Sequence, residues 1–407
     1  MGAEAKESKE GERELDIVVF GATGFTGRLV ADYLAAHPKA GRWAIAGRSR
    51  DKLAALGFPV PIIVADAMDD AAMAAVARRT RVVCTTVGPF GKYGSALVKA
   101  CAEAGTHYCD LTAEVPWMRR MIDQHDAAAK ASGARIVHAC GYDSIPSDLG
   151  TLLAQETFRA RFGRAATKVT SYFGAMRGGV SGGTVASGFA IAREAKADKA
   201  VRRILANPYA LDPDPRAKRP PAPDELKLGW DRGQRKFTAP FVMAASNTRI
   251  VRRSHALAGF PWGEGFVYRE VMAMPASARG LARAAAFTAG LGAFAVVMGV
   301  EPLRDFVEKK LPQPGHGPSK EMRDAGYWKL EVVASDGADR VAYRMSDQRD
   351  PGYGSTACML AEAALCLAHD PAPPDPKTRA GFLTPATALG HALPARLRAA
   401  GLTLAPA

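Results

Sequence analysis

Short apolar runs alternate with segments of helical spacing over the first third of the chain. The first run, Asp16–Phe20, ends at a glycine-rich turn. Further runs of this kind predict strands at Trp43–Gly47, Pro61–Ala65, Val82–Val87, His107–Leu111 and Arg135–Ala139. Helical spacing separates them at Leu29–Ala36, Ala71–Arg79, Ala96–Ala104 and Trp117–Ala131. This α/β alternation predicts a parallel, doubly wound sheet of the Rossmann type over residues 15–147.

The pattern changes after residue 147. A predicted helix at Asp148–Phe162 leads to a strand at Lys168–Ala175, and residues 207–236 are crowded with proline and charge, as in an exposed arm. Runs at Tyr327–Ala334 and Arg340–Met345 flank an Asp-Gly turn and predict a hairpin. Because helices do not separate these strands, we expect a second, α+β domain with a mixed sheet over residues 148–345.

The two ends of the chain differ from its middle. Residues 1–14 are polar and predict a disordered tail without a targeting signal. Residues 346–407 predict helices at Thr356–Ala368 and Thr384–Ala400, which could pack back on the first domain. A length of 407 residues favours two domains. None of the six cysteines forms a CxxC pair, so we expect reduced thiols in a cytoplasmic protein.

One segment departs from the soluble pattern. Ala284–Val300 reads AAAFTAGLGAFAVVMGV and carries no charge. It is slightly short for a bilayer span and is rich in alanine and glycine. A buried helix is the favoured interpretation, and a helix that makes peripheral membrane contact is the alternative.

The formal net charge of +13 is concentrated in one region. Residues 201–253 contain twelve Lys or Arg against five acids. Such a region attracts an anionic partner, and we expect an acidic carrier protein or a membrane surface rather than a nucleic acid. The alternative is a basic face that is merely solvated.

A glycine-rich turn between the first strand and the first helix predicts a dinucleotide site. It reads Gly21-Ala22-Thr23-Gly24-Phe25-Thr26-Gly27. Its glycines let backbone N–H groups approach a pyrophosphate, and the helix N-terminus adds a positive dipole. The candidate residues are therefore Gly21, Thr23, Gly24, Phe25, Thr26 and Gly27.

The end of the second predicted strand selects the cofactor. An acid there would bind the ribose of NAD, whereas Gly47 is followed by Arg48 and Ser49, which suit the extra phosphate of NADP. Asp66, after the third strand, lies near adenine or caps the next helix. Thr86, Val87, Gly88 and Pro89 should pass beside the ribose and nicotinamide. We predict NADP as the cofactor and no metal site.

Several motifs together resemble those of the saccharopine dehydrogenase-like oxidoreductases. They are GATGFTG, AGRS, TTVGPF, YCDLT at 108–112, GYDSIPSD at 141–148 and GGT at 182–184. SNTRIVRRS at 246–254 and DPGY at 350–353 are similar to the trans-acting enoyl reductases of that family in particular. The resemblance implies NADPH-dependent reduction of a carbon–carbon double bond in an acyl chain held by a polyketide synthase that lacks its own enoyl reductase.

Enoyl reduction needs a hydrogen-bond donor for the thioester carbonyl and a proton for Cα. Tyr142 is the first candidate, because a phenol can stabilise an enolate and release a proton. Tyr93 and Asp143 are further candidates, and Asp110 and Ser144 also follow strands at this edge. A packed structural role is the favoured interpretation of His138.

Three alternatives stay open. A saccharopine-type amino-acid dehydrogenase would need a guanidinium-rich pocket, which Arg177, Arg249, Arg252 and Arg253 could provide. Gly179–Gly183 fits the GxSxG pattern of serine hydrolases, although glycine-rich loops match it easily. A non-catalytic NADPH-binding or membrane-scaffold protein would share the cofactor loop but need no proton donor.

Overall fold

The computed structural model describes residues 13–178, 182–308 and 317–407. Most of the predicted tail, and Gly179, Val180 and Ser181 of the GxSxG match, lie outside these residues. The strands are β1 (Leu15–Phe20), β2 (Trp43–Gly47), β3 (Ile62–Val64), β4 (Thr80–Thr85), β5 (His107–Cys109), β6 (Arg135–Val137), β7 (Lys168–Arg177), β8 (Gly229–Asp231), β9 (Lys236–Pro240), β10 (Val267–Met274), β11 (Tyr327–Asp336), β12 (Asp339–Asp347), β13 (Gly381–Leu383) and β14 (Thr403–Pro406).

The helices run through both halves of the chain. They are α1 (Phe25–Ala36), α2 (Arg50–Ala54), α3 (Asp70–Arg79), α4 (Phe90–Tyr93), α5 (Ser95–Ala104), α6 (Val115–Ser132), α7 (Ile145–Phe162), α8 (Gly182–Ala197), α9 (Lys199–Ala206), α10 (Ala244–Leu257), α11 (Ala278–Gly299), α12 (Glu301–Glu308), α13 (Lys320–Asp324), α14 (Thr356–His369), α15 (Pro385–Leu389) and α16 (Leu393–Ala399). A π-helical turn, Pro351–Ser355, precedes α14.

The first sheet is parallel throughout, in the order β13-β6-β5-β4-β1-β2-β3. Every residue of β1 is buried, as expected for a central strand covered on both faces. Because α1 follows β1 and the strand order reverses between β1 and β4, the carboxyl ends of these strands form a crevice. The predicted Rossmann fold is confirmed.

The second sheet has the order β14-β12-β11-β7-β10-β9-β8. β7 and β10 are parallel, and the other neighbours are antiparallel. β11 and β12 form a hairpin in which Asp336 pairs with Asp339. The predicted mixed sheet and hairpin are therefore both present.

The C-terminal residues join the two sheets. β13 pairs with β6 in the first sheet, and β14 pairs with β12 in the second. Almost all of α14 is buried, and it packs on α1, β4 and β5. The single helix predicted at Thr384–Ala400 is instead the two short helices α15 and α16, which are interrupted at Gly390. A Cβ at Gly390 would lie 2.3 Å from the carbonyl oxygen of Ala386.

The prediction of a buried helix at Ala284–Val300 is wrong. Among the described residues, α11 is the one helix that is long and apolar enough to cross a membrane, and 6% of its most apolar stretch is buried. Gly280 and Ala284 are its buried residues. The prediction failed because no other described element covers most of this helix, and composition alone does not reveal that.

Candidate cofactor site and active site

The glycine-rich turn after β1 folds back on itself at the carboxyl edge of the first sheet. The N–H of Gly21 donates to the carbonyl of Ala46 in β2 (2.8 Å), and the N–H of Gly24 donates to the carbonyl of Gly21 (2.9 Å). Gly21 has a φ of 94°, a conformation that favours glycine. The turn therefore brings the start of α1 to the mouth of the crevice.

The N-terminus of α1 fits a phosphate group. Its N-cap is Gly24, no side chain caps it within the described structure, and its first turn contains no acid. The N–H groups at the start of a helix have no partner in the helix itself, so the backbone from Phe25 to Gly27 offers donors to an anion. Thr23 is exposed beside this end, whereas Thr26 is half-buried.

Gly27 has a different role from Gly24. A Cβ at Gly27 would lie 2.1 Å from the carbonyl oxygen of Gly21 and 2.7 Å from Oγ1 of Thr86. A Cβ at Gly24 meets only that same carbonyl oxygen, at 3.2 Å. Gly27 thus allows the helix to pack against the strand, and Gly24 keeps the space above the helix end open.

Phe25 joins the loop to the second half of the chain. The Phe25 ring packs edge-on against the Tyr353 ring, with 4.6 Å between the two centroids. The guanidinium of Arg323 lies 5.1 Å from the centroid of the Phe25 ring. Residues from the π-helical turn and from α13 therefore pack against the phosphate loop.

Arg48 is exposed immediately after β2, where the 2′-phosphate of NADP would lie. Ser49 is the N-cap of α2, and its hydroxyl oxygen lies 3.4 Å from the N–H of Lys52. Asp66 is exposed, and its carboxylate accepts from the N–H of Met68 (2.9 Å). Asp69 is the N-cap of α3, so the capping alternative for Asp66 does not hold.

We expect Arg48→Ala to remove most of a preference for NADPH over NADH. The guanidinium contributes a charge-assisted contact to a phosphate that NADH lacks, and such contacts contribute about 1.5–3 kcal/mol. Fluorescence titration with both cofactors measures the preference. Arg78→Ala, on an exposed arginine of α3, is the control and should leave it unchanged. Equal affinities of the unmodified protein for the two cofactors would refute the role of Arg48.

Thr86 to Pro89 follow β4 and are half-buried at the edge of the crevice. The hydroxyl of Thr86 lies 3.3 Å from the carbonyl oxygen of Gly21, and Val87 lies directly behind that glycine. Residues 86–89 thus line the crevice beside the phosphate loop, as expected for contacts to a nucleotide. Tyr93, at the end of α4, is half-buried, and the Lys92 ammonium lies 5.0 Å from its ring centroid.

Asp110 has a structural role, because neighbouring groups form hydrogen bonds with its carboxylate. Its carboxylate accepts from the hydroxyl of Tyr108 (2.9 Å) and from the N–H groups of Thr112 and Ala139 (3.1 Å each). Its other contact is with Nδ1 of His138 (2.7 Å). The His138 ring is packed among aromatic rings, which agrees with a structural role for this histidine.

Tyr142 lies where the first sheet meets the second. Its ring packs against Trp328 of β11, with 5.0 Å between centroids, and against Phe173 of β7. The side chain is 4% exposed, and its hydroxyl has no hydrogen-bond partner among the described residues. Burial and the nearby carboxylates of Asp143 and Glu270 raise the pKa of this phenol. The hydroxyl is therefore a protonated donor that is available to a ligand or water.

Asp143 is the next residue and is partly exposed. The surrounding protein desolvates its carboxylate and raises its pKa to about 6. A carboxyl group with this pKa can adopt both protonation states near neutral pH, which is the property expected of a proton relay.

A buried polar network lies beneath these residues, and the sequence interpretation missed it. Ser144 donates to Oδ1 of Asn247 (2.8 Å), whose Nδ2 donates to Glu270 (3.1 Å). The hydroxyl of Tyr268 also donates to Glu270 (2.6 Å), and burial raises the pKa of this glutamate to about 7. A lone carboxylate inside the apolar run of β10 was the signal that could have revealed it.

The arginines proposed for a carboxylate pocket serve the fold instead. Nη1 of Arg249 donates to both carboxylate oxygens of Asp224 (2.6 and 2.7 Å), and Arg252 donates to the carbonyl of Pro208. Arg253 donates to the carbonyls of Leu211 and Phe382. All three are buried, whereas Arg177 is exposed at the end of β7. The three buried arginines hold β13 and the arm at 207–236 in place. Because their donors are used within the fold, they disfavour a saccharopine-type pocket for substrate carboxylates.

Comparisons with known proteins agree with this geometry. The saccharopine dehydrogenase NADP-binding domain matches residues 17–137. A trans-acting enoyl reductase of Mycobacterium tuberculosis is 38% identical over 97% of this chain and 98% of its own length. That of Mycobacterium ulcerans has the same identity and coverage. Another Mycobacterium tuberculosis relative reaches 40% over 96% of this chain and 97% of its own length.

A solved structure supports the same fold. Apo saccharopine dehydrogenase (L-Glu forming) of Saccharomyces cerevisiae aligns with a TM-score of 0.50 and 13% identity, covering 97% of this chain and all of that one. The fold and the phosphate loop thus define an NADP-dependent oxidoreductase with a second, mixed-sheet domain. Within that class, the chain belongs to the trans-acting enoyl reductases of the saccharopine dehydrogenase-like family.

Proposed function

We propose that this protein is an NADPH-dependent enoyl reductase that acts on an α,β-unsaturated acyl thioester of a polyketide or lipid. The observation that carries the proposal is the buried, unpartnered hydroxyl of Tyr142 at the carboxyl edge of the cofactor-binding sheet. A donor held there suits a substrate carbonyl oxygen that gains negative charge during reduction. The relatives named above support the same reaction.

Tyr142 and Asp143 have different roles in the proposed reaction. NADPH, when bound, supplies the hydride that adds to Cβ of the double bond. Tyr142 donates its hydrogen bond to the thioester oxygen and stabilises the enolate, and its proton is available for Cα. Asp143, whose pKa is about 6, can resupply that proton from solvent because it is partly exposed. One hydride and one proton together saturate the double bond.

Turnover against a panel of acceptors tests the proposal. Purified protein with NADPH is mixed with enoyl thioesters, ketones and imines, and the loss of NADPH absorbance is followed. NADPH deuterated at C4 should place deuterium at Cβ of the product, as mass spectrometry can show. Oxidation of NADPH in the presence of an imine or keto acid, but not of an enoyl thioester, would support an amino-acid dehydrogenase. Binding of NADPH with no turnover would support a non-catalytic protein.

The arm formed by residues 207–236, which we call the basic arm, is the proposed contact for an acidic carrier protein that delivers the acyl chain. Arg216 and Lys218 are exposed on it. Arg219 is half-buried, pairs with Asp212 (3.7 Å) and packs over the ring of Phe260, so its charge is partly used by the fold. The two exposed cations are therefore the better part of the arm on which to test this contact.

We expect Arg216→Glu combined with Lys218→Glu to slow reduction of carrier-bound substrate, chiefly through the association rate. Raising the salt concentration should have the same effect on the unmodified protein. Stopped-flow kinetics with carrier-bound and free short-chain thioesters separates the two substrates, and the free thioester should be unaffected. The control pair Arg78→Glu and Lys99→Glu changes the charge equally on α3 and α5. An equal effect of both pairs would refute a specific contact.

A further inference from the structure

α11 and α12 expose several large apolar side chains. These side chains are Leu281, Phe294, Val296, Val300, Leu303 and Phe306. Isolated exposed apolar residues are ordinary, but a concentration of them on two consecutive helices marks a contact site. We call these six residues the apolar helix surface.

The exposed positions do not form a single stripe. Consecutive helical residues are about 100° apart, and the exposed positions between Leu281 and Val300 cover more than half of the circumference. A second protein helix would cover a narrower face and leave the rest in water. An apolar solvent surrounds the exposed side of the helix more completely than any one packed element does.

Both ends of α11 are tied to the same folded body. Its first turn follows β10 directly, and the helix packs against β9 and β10. At its other end α12 is held to α8 by ion pairs of Lys196 with Glu301 (2.5 Å) and of Arg193 with Asp305 (3.7 Å). A helix that crossed a bilayer would place its ends on opposite sides of it. With respect to a membrane, this helix is therefore placed to lie along the surface rather than to cross it.

Positive charge accompanies the apolar residues of α11, whereas Glu301 and Asp305 of α12 pair with Lys196 and Arg193 of α8. Arg279 and Arg283 are exposed one turn apart at the start of α11, and neither has an ion pair among the described residues. The helix contains no acidic residue from Ala278 to Gly299. On α9, which packs on α8, Lys199, Arg202 and Arg203 are also exposed. Cations beside an apolar helix suit anionic lipid head groups.

We propose that α11 and α12 form a monotopic membrane-binding element that inserts its apolar helix surface into the interface of a bilayer containing anionic lipids. The arginines at the start of α11 contact the head groups, and Phe294 and Val296 enter the acyl boundary. This inference does not depend on the reaction that the protein catalyses, because it rests on the exposure and charge of these helices alone.

Flotation with lipid vesicles tests the proposal on the full-length protein. Binding to vesicles of phosphatidylcholine with phosphatidylglycerol should exceed binding to pure phosphatidylcholine by at least roughly tenfold. Phe294→Asp combined with Val296→Asp should abolish flotation, and because both residues are exposed, circular dichroism should show an unchanged fold. Arg279→Glu combined with Arg283→Glu should lower binding to the anionic vesicles alone.

Matched controls separate this surface from the rest of the molecule. Met68→Asp places one carboxylate at an exposed methionine in the cofactor domain, and Arg78→Glu with Lys99→Glu reverses two charges there. Both controls should float as the unmodified protein does. Absence of flotation, or flotation that survives the Phe294 and Val296 changes, would overturn the proposal. So would a dimer in solution that these two changes convert to a monomer without any effect of lipid.

Discussion

Gly24→Val is expected to abolish NADPH binding while the protein stays folded. Gly24 is the N-cap of α1, and a Cβ there would already lie 3.2 Å from the carbonyl oxygen of Gly21. The two branches of valine would fill the space through which a pyrophosphate must approach the N–H groups of the first turn. Loss of two charge-assisted hydrogen bonds weakens binding by at least about 100-fold. Fluorescence titration with NADPH measures it.

Two other glycines provide the controls. Gly27→Val should lower the midpoint of thermal unfolding, because its Cβ would collide with backbone at 2.1 Å. Gly290→Val lies in α11 with nothing within 4 Å and should leave NADPH affinity unchanged. A Gly24→Val protein that binds NADPH with near-normal affinity would place the phosphate site elsewhere.

The core of the first domain was predictable because its strands are buried on both faces. β1 and β2 consist almost wholly of apolar residues between turn signals, so composition alone marks them. β13 and β14 carry no such signal. They contain three and four residues, and each is defined by its partner, β6 or β12, more than 50 positions away in the sequence. Pairing over that separation is a property of the fold and not of the local pattern.

In the active-site region, too, the local sequence pattern predicts some features and distant contacts determine others. Tyr142 and Asp143 could be identified as candidates because they follow β6, where parallel strands end in a crevice. The sequence could not show that Arg249 forms an ion pair, because its partner Asp224 is in an irregular arm. Nor could it show that α11 is exposed, since an uncharged stretch such as Ala284–Val300 can have the same composition in a protein core and on a protein surface.

Tyr142→Phe is expected to lower kcat for enoyl reduction by about 100-fold or more, which is the usual contribution of a positioned proton donor. The affinity for NADPH should be unchanged, because the hydroxyl makes no hydrogen bond to the phosphate loop. The free protein should be as stable as the unmodified one, or more stable by about 1 kcal/mol. The reason is that phenylalanine removes a buried hydroxyl that has no hydrogen-bond partner among the described residues.

Tyr172→Phe is the matched control, since Tyr172 lies in β7 and its hydroxyl donates to Asp231 (2.6 Å). Removing that hydroxyl should lower the free energy of unfolding by about 1 kcal/mol and leave kcat unchanged. Tyr142→Phe should therefore lower kcat without loss of stability, and Tyr172→Phe should lower stability without loss of kcat. Steady-state kinetics measures kcat, and denaturant unfolding measures stability. If Tyr142 has only a structural role, Tyr142→Phe would instead keep its kcat. That result would transfer the role of proton donor to Tyr93 or Asp143.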